Sequence, residues 1–378
     1  MEFLHPIFTF LFIFLIVASF AEVYYLDQKK SFFVWVAWFV LLIAAGFRYF
    51  VGADYPVYNN LFVGFSLYTS YDDVWDKALF RPNAEQIEWI FVLINKIIFD
   101  LGLPFYMVTF VMALITLSLK FSTIYKNIAY PALGLLLYFM PVFFFEDSGQ
   151  MRQGIGIAIS VFSFRYIKSR NLPMFLLMIY LALGFHKTSI VFLPAYWIVK
   201  IPMNSERIFI AILASILLSP LELFNFAGGL MESVTPQDIS GGFTGYINDE
   251  ELGGNVAFGL NDIVKVLYII LIIVYDKQAC QKVYYYEYMR NLGVFGLCLF
   301  YIMRGNAIFA IRLPGAYMFF LTMFVMPSIV FAISDSVKKI IHLGFITYLV
   351  LMYFYFAKSS GNRGGFGYDR YNNFLWMK

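Results

Sequence analysis

The chain has 378 residues, of which 61% are hydrophobic, 21% aromatic and only 13% charged. Soluble domains carry about 25% charged residues, so this composition excludes a water-soluble globular protein and leaves a polytopic membrane protein. The net charge of +3 identifies no partner; in a membrane protein the side on which each charge lies is what carries information.

Apolar runs without strand alternation predict helices rather than a barrel, because a helix satisfies its own backbone inside a bilayer. Candidate spans fall near 6–26, 31–47, 104–122, 131–146, 151–168, 172–187, 189–201, 206–224, 262–275, 291–303, 313–333 and 340–357, roughly twelve by the length a bilayer requires. Residues Met1 to His5 lack the basic region of a secretory signal, so the first span is expected to be retained.

The connections alternate in charge. Lys29/Lys30, Lys120/Lys126, Arg165/Lys168/Arg170, Lys200/Arg207, Lys277/Lys282/Arg290 and Lys338/Lys339 form one set, cytoplasmic by the positive-inside rule; Asp72/Asp73/Asp76, Glu146/Asp147 and Asp249/Glu250/Glu251 form the other, facing outward. Both termini then lie outside. The reading is one integral membrane domain over 1–378, with outer loops at about 48–103 and 225–261 and an outer tail at about 358–378. Within the first loop, 84–102 is amphipathic and charged, which fits an interfacial or re-entrant helix. The glycine-rich 228–261 has the composition of a mobile lid.

On this topology a cation kept on the outer face works against the rule that orients the rest. Those exceptions are Arg48, Arg81, Arg152, His186/Lys187, Arg304 and Arg312. Arginine binds phosphate oxygens through a planar fork, so several converging at the outer leaflet suit a lipid-linked pyrophosphate; singly, each also fits a side chain snorkelling to the headgroups.

Arg48 opens the stretch Arg48-Tyr49-Phe50-Val51-Gly52-Ala53-Asp54-Tyr55-Pro56-Val57-Tyr58 at a span end. Asp54 there reads equally as a proton acceptor or a helix N-cap. Arg152 and Gln153 precede Gly154, Gly156, Ala158 and Ser160, small residues that permit close helix packing. His186 lies in Gly184-Phe185-His186-Lys187-Thr188-Ser189 and titrates near neutrality, so it fits a general base or a hydrogen-bond donor. Tyr55, Tyr58, Phe366, Tyr368 and Tyr371 are candidates for stacking on sugar faces, or plain interfacial anchors.

His5, His186 and His342 show no metal-ligand spacing, and no glycine-rich phosphate loop with its lysine is present. Zinc catalysis and nucleotide hydrolysis are therefore not expected, no cofactor is implied, and nothing marks a nucleic-acid surface. Cys280 and Cys298 are too few for a disulfide framework and are expected to stay reduced.

At these residues the chain resembles the EpsG family of bacterial exopolysaccharide proteins, which belongs with the Wzy-type polysaccharide polymerases. The matching pieces run from Phe47 to Tyr58, then Arg152-Gln153-Gly154 with Phe164-Arg165-Tyr166-Ile167, then Phe185-His186-Lys187-Thr188-Ser189 with Pro194-Ala195-Tyr196, then Ala310-Ile311-Arg312-Leu313. Arg304 and Gly315 match the arginine and glycine spacing of O-antigen polymerases.

The resemblance implies an all-helical glycosyltransferase of GT-C type in the bacterial cytoplasmic membrane with an outward-facing site. It would transfer a growing glycan from undecaprenyl pyrophosphate to a new lipid-linked repeat unit, beside a flippase and a chain-length regulator. On it, Arg48, Arg152, Arg312 and Arg304 hold pyrophosphates; His186 is the preferred base and Asp54 the second; Tyr55, Tyr58, Gln153, Ser189 and Tyr371 are glycan contacts. A lipid-linked oligosaccharide flippase and a glycan ligase are the competing readings. A sugar O-acetyltransferase is disfavoured for want of a His–carboxylate pair.

Overall fold

The computed structural model describes residues 3–26, 29–52, 54–79, 87–222, 256–362 and 367–376. Arg81, Phe366 and most of 228–261 lie outside the described residues. Helices α1 (Pro6–Tyr24), α2 (Ser31–Gly46), α3 (Tyr55–Tyr68), α4 (Tyr71–Ala78), α5 (Trp89–Asp100) and α6 (Tyr106–Asn127) build the N-terminal part. They are followed by α7 (Pro131–Tyr138), α8 (Met151–Phe162), α9 (Phe164–Lys168), α10 (Leu172–Leu183), α11 (Ala195–Ile198) and α12 (Ser205–Leu218). The C-terminal part holds α13 (Leu260–Lys282), α14 (Tyr286–Ile302), α15 (Ala307–Arg312), α16 (Gly315–Ala332) and α17 (Asp335–Asn362). Among the described residues there is no strand; an isolated bridge joins Arg48 to Asn373.

Four described helices are long and apolar enough to cross a membrane: α1, α6, α16 and 335–359 of α17. In α1, Phe8, Leu11, Phe12 and Leu15 are buried at helical spacing while Phe10, Ile13 and Val17 are more than half exposed. A helix apolar on both faces packs one against protein and offers the other to hydrocarbon. The membrane class expected from composition therefore holds. Three expected spans are not continuous helices; that at 151–168 is divided at Ser163 into α8 and α9. The one at 131–146 runs as α7 and then as wide turns over Phe139–Asp147, with Met140 off helical geometry. The one at 189–201 is a 3₁₀ segment, Lys187–Phe192, followed by the one-turn α11. Pro141 and Pro194 lie at the latter two breaks, each removing a backbone donor.

Part of the basic set gathers at one end of the bundle. Lys29 donates to the Tyr125 and Ile128 carbonyls, Lys168 to Asn127 Oδ1 (2.6 Å), and Arg170 to the Tyr196 carbonyl (2.6 Å). At the other end the backbone N–H of His5 donates to Tyr368 O (3.0 Å) and its ring stacks on Trp376, so the start of α1 and the tail share one face. Lys120 is a correction. Assigned above to a cytoplasmic connection, it lies inside α6, fully buried, and binds Asp147 (2.8 and 3.0 Å) and Glu146 (2.9 Å), the acids placed on the opposite side. A lysine beside an apolar run reads as a loop residue; here a carboxylate on a returning segment lets it stay buried.

Candidate active site

The turn at 148–150, between the wide turns after α7 and the start of α8, gives the site its place. Below it, Asp147 takes Lys120 and accepts from the Tyr138 hydroxyl. Above it, the Tyr368 hydroxyl donates to Phe144 O at 3.0 Å. The first turn of α8 packs so closely that a Cβ on Gly154 would stand 2.6 Å from Asp147 Oδ1, and one on Gly156 2.6 Å from Ser189 Oγ. Close approach of the segments thus requires glycine at both positions, and it brings Arg152 and Gln153 against the His186 turn.

Around His186 the chain gathers Glu88, Arg152, Arg312 and Lys187, all near enough to act on the ring electrostatically. Arg152 Nη1 donates to Glu88 Oε2 at 2.7 Å, and its guanidinium lies 5.5 Å from the Tyr58 ring centroid and 5.6 Å from that of Phe91. Gln153 Nε2 donates to the Arg312 carbonyl at 3.3 Å, tying α8 to the end of α15. The Tyr58 hydroxyl donates to Asp54 Oδ2 at 3.3 Å, so Asp54 is linked through Tyr58 to Arg152. Segments distant in sequence therefore meet: Asp54, Tyr58, Arg152, Gln153, His186 and Arg312.

His186 follows the end of α10, outside the spanning helix. Its Nδ1 accepts from the backbone N–H of Thr188 (3.3 Å), capping the 3₁₀ turn, and lies 2.7 Å from Thr188 Oγ1. An accepting Nδ1 assigns the proton of the neutral ring to Nε2. Burial first, opposed by Glu88 and then reinforced by Arg152, Arg312 and Lys187, pushes the ring down to about 4. The imidazole is neutral at pH 7, with its N–H on Nε2.

Arg48 is in a second, adjoining setting. It is 1% exposed; Nη1 donates to the Ala45 carbonyl, Nη2 lies 3.6 Å from Met151 Sδ, and Nε has no partner. Tyr55, Tyr58, Tyr368 and Tyr371 surround it, and the tail closes over it through Tyr49 N–H to Asn372 O (3.0 Å) and Phe374 N–H to Phe47 O (2.9 Å). No carboxylate among the described residues pairs with it.

Several expected contacts change character. Tyr55, Tyr58 and Tyr371 are at most 3% exposed, so their rings line the arginines instead of presenting a face to a sugar. Ser189 Oγ donates inward, to Ala182 O at 3.3 Å. Arg304 is not with the group. Nη1 and Nη2 hold Asp262 (2.8 and 3.2 Å) and Nε holds Val256 O (3.1 Å), and none of its contacts involves Arg152 or His186. Glu88 was not singled out from the sequence. Its one signal is a carboxylate just before the apolar run of α5, where it reads as a helix cap; in the structure its side chain makes no cap bond and turns to Arg152.

The model of the EpsG family matches residues 31–373. No curated protein and no solved structure matches the chain.

Proposed function

The chain belongs to the EpsG family of membrane proteins associated with polysaccharide polymerisation, and on that premise we propose that it is a glycosyltransferase acting at the outer face of the bacterial cytoplasmic membrane. It transfers a growing glycan from undecaprenyl pyrophosphate to a new lipid-linked repeat unit. The observation that carries this reading is the charge around His186. Three cations, Arg152, Arg312 and Lys187, gather on His186 together with Glu88, and a quarter of the Arg152 side chain stays accessible. Such a set suits a diphosphate, whose negative charge grows as it departs.

In the reaction, the acceptor hydroxyl oxygen forms a bond to the anomeric carbon of the donor glycan. The bond from that carbon to the pyrophosphate oxygen breaks, and its electron pair leaves with the diphosphate. Arg152 and Arg312 stabilise that charge, with buried Arg48 adding to the positive field behind Met151. His186 donates from Nε2–H to a departing oxygen, the role its tautomer supports, and Asp54 takes the hydroxyl proton. This reverses the expected order of the two candidate bases, because the Thr188 N–H donates to Nδ1, the nitrogen that would have to carry the proton and donate to an acceptor if Nε2 were to act as base.

The test replaces Arg152 or Arg312 by Lys, which keeps the charge and loses the fork. At equal protein level, either change should leave single lipid-linked repeat units accumulating at the expense of long polymer. Normal chain lengths from both variants would overturn the proposal.

A further inference from the structure

A guanidinium with three-quarters of its side chain out of water is stabilised by a nearby anion, so a counter-charge for Arg152 matters whenever no phosphate is bound. Glu88 supplies one. Its Oε2 accepts from Arg152 Nη1 at 2.7 Å, and its Oε1 accepts from the backbone N–H of Lys187 at 3.2 Å. The Glu88 side chain is 8% exposed and that of Arg152 25%; the carboxylate is enclosed, while the arginine remains reachable. An arginine N–H and a backbone N–H beside a histidine turn are also the donors that a phosphate oxygen pair would take.

The backbone that carries Glu88 is pinned. Ile90 and Phe91 donate their N–H groups to Gly184 O at 2.8 and 3.3 Å, fixing the first turn of α5 on the segment that leads into His186. The carboxylate can therefore leave Arg152 by rotating its own side chain, without α5 moving.

We infer that Glu88 is a tethered substitute for the substrate's phosphate: it neutralises Arg152 in the empty site and is displaced when the pyrophosphate binds. The inference rests on the reading of Arg152 as a phosphate ligand. It carries a dependence on Arg152 that a field effect of Glu88 alone does not. A carboxylate that positions Arg152, or acts as an acid or base, would be missed when removed; a competing anion, once removed, leaves the arginine more available, so anion binding tightens.

The experiment uses the full chain in lipid nanodiscs and inorganic pyrophosphate as the probe, titrated calorimetrically. Glu88→Gln keeps an acceptor oxygen for Lys187 N–H and removes the charge. Its affinity for pyrophosphate should rise about tenfold over the unsubstituted protein, the worth of one charge-assisted hydrogen bond. Combined with Arg152→Ala, the gain should vanish. Glu88→Asp, too short to hold both donors, should show a smaller gain, and it decides the matter if the Gln variant does not accumulate. Equal, weaker or unmeasurable binding in the deciding variant, or a gain that persists without Arg152, overturns the inference. If the unsubstituted protein and Arg152→Ala bind pyrophosphate equally well, it is instead the assignment of Arg152 to phosphate that fails.

Discussion

Two ion pairs flank the turn at 148–150 and differ in kind. On one side Lys120 meets Asp147 and Glu146, with the lysine side chain 0% and that of Asp147 1% exposed. On the other, Arg152 meets Glu88 with a quarter of the arginine side chain still accessible. The sealed pair has every ammonium bond filled from within the fold. It holds the floor on which α8 begins. The open pair joins Arg152 Nη1 to Glu88 Oε2 at 2.7 Å, and its cation lies near Arg312 and Lys187 around His186. Accessibility and the neighbouring cations, not the presence of an ion pair, separate scaffold from site here.

The largest effect is expected where the sealed pair is broken. Lys120→Met leaves two carboxylates without their cation, and removing one member of a buried pair costs about 3–5 kcal/mol. Most of the folded protein should be lost, as read by denaturant unfolding in nanodiscs, and Lys120→Met combined with Asp147→Asn and Glu146→Gln should recover a substantial part. A single variant as stable as the parent would remove the pair from the scaffold.

The open side should respond in rate instead of stability. Asp54→Asn should slow polymerisation about a hundred- to ten-thousand-fold if the carboxylate takes the acceptor proton. His186→Gln, whose amide still donates, should stay within about tenfold, the worth of one neutral hydrogen bond. The comparison is made on conversion of lipid-linked repeat units at matched protein level. Should the glutamine variant be inactive and the asparagine variant polymerise, His186 is the base after all.

The smallest effect concerns Arg304, which resembles Arg152 in residue type but has given its fork to Asp262 and Val256. Arg304→Lys should lower stability by about 1–2 kcal/mol and leave polymer length per folded protein unchanged. A shift in chain length at unchanged stability would return Arg304 to the site.

Much of the fold was legible because a bilayer allows few solutions. Helical spans, the clustering of Lys29, Lys168 and Arg170 with their partners at one end, and the pairing of the N-terminal end with the tail all follow from hydropathy and loop charge. The site was legible in part. Arg152, His186 and Arg312 broke the charge rule, and the structure brings them together. Glu88 did not break it: an acid in an acidic outer segment looks ordinary. Lys120 was misplaced because a lysine after an apolar run is usually at the membrane surface, and only a partner 27 positions away in the chain, Asp147, tells otherwise.

By itself, then, the sequence determined the solvent in which this protein folds, the helical class and the cations that are out of place, since these depend on composition and on local periodicity. Tertiary structure alone decided which cation meets which anion. It buried Tyr55, Tyr58 and Tyr371 against the arginines, spent Arg304 on Asp262, and set the proton of His186 by the N–H of Thr188. The physical reason is range. Hydropathy acts residue by residue along the chain, whereas an ion pair or a tautomer is fixed by a contact within about 3 Å between segments that the sequence keeps far apart.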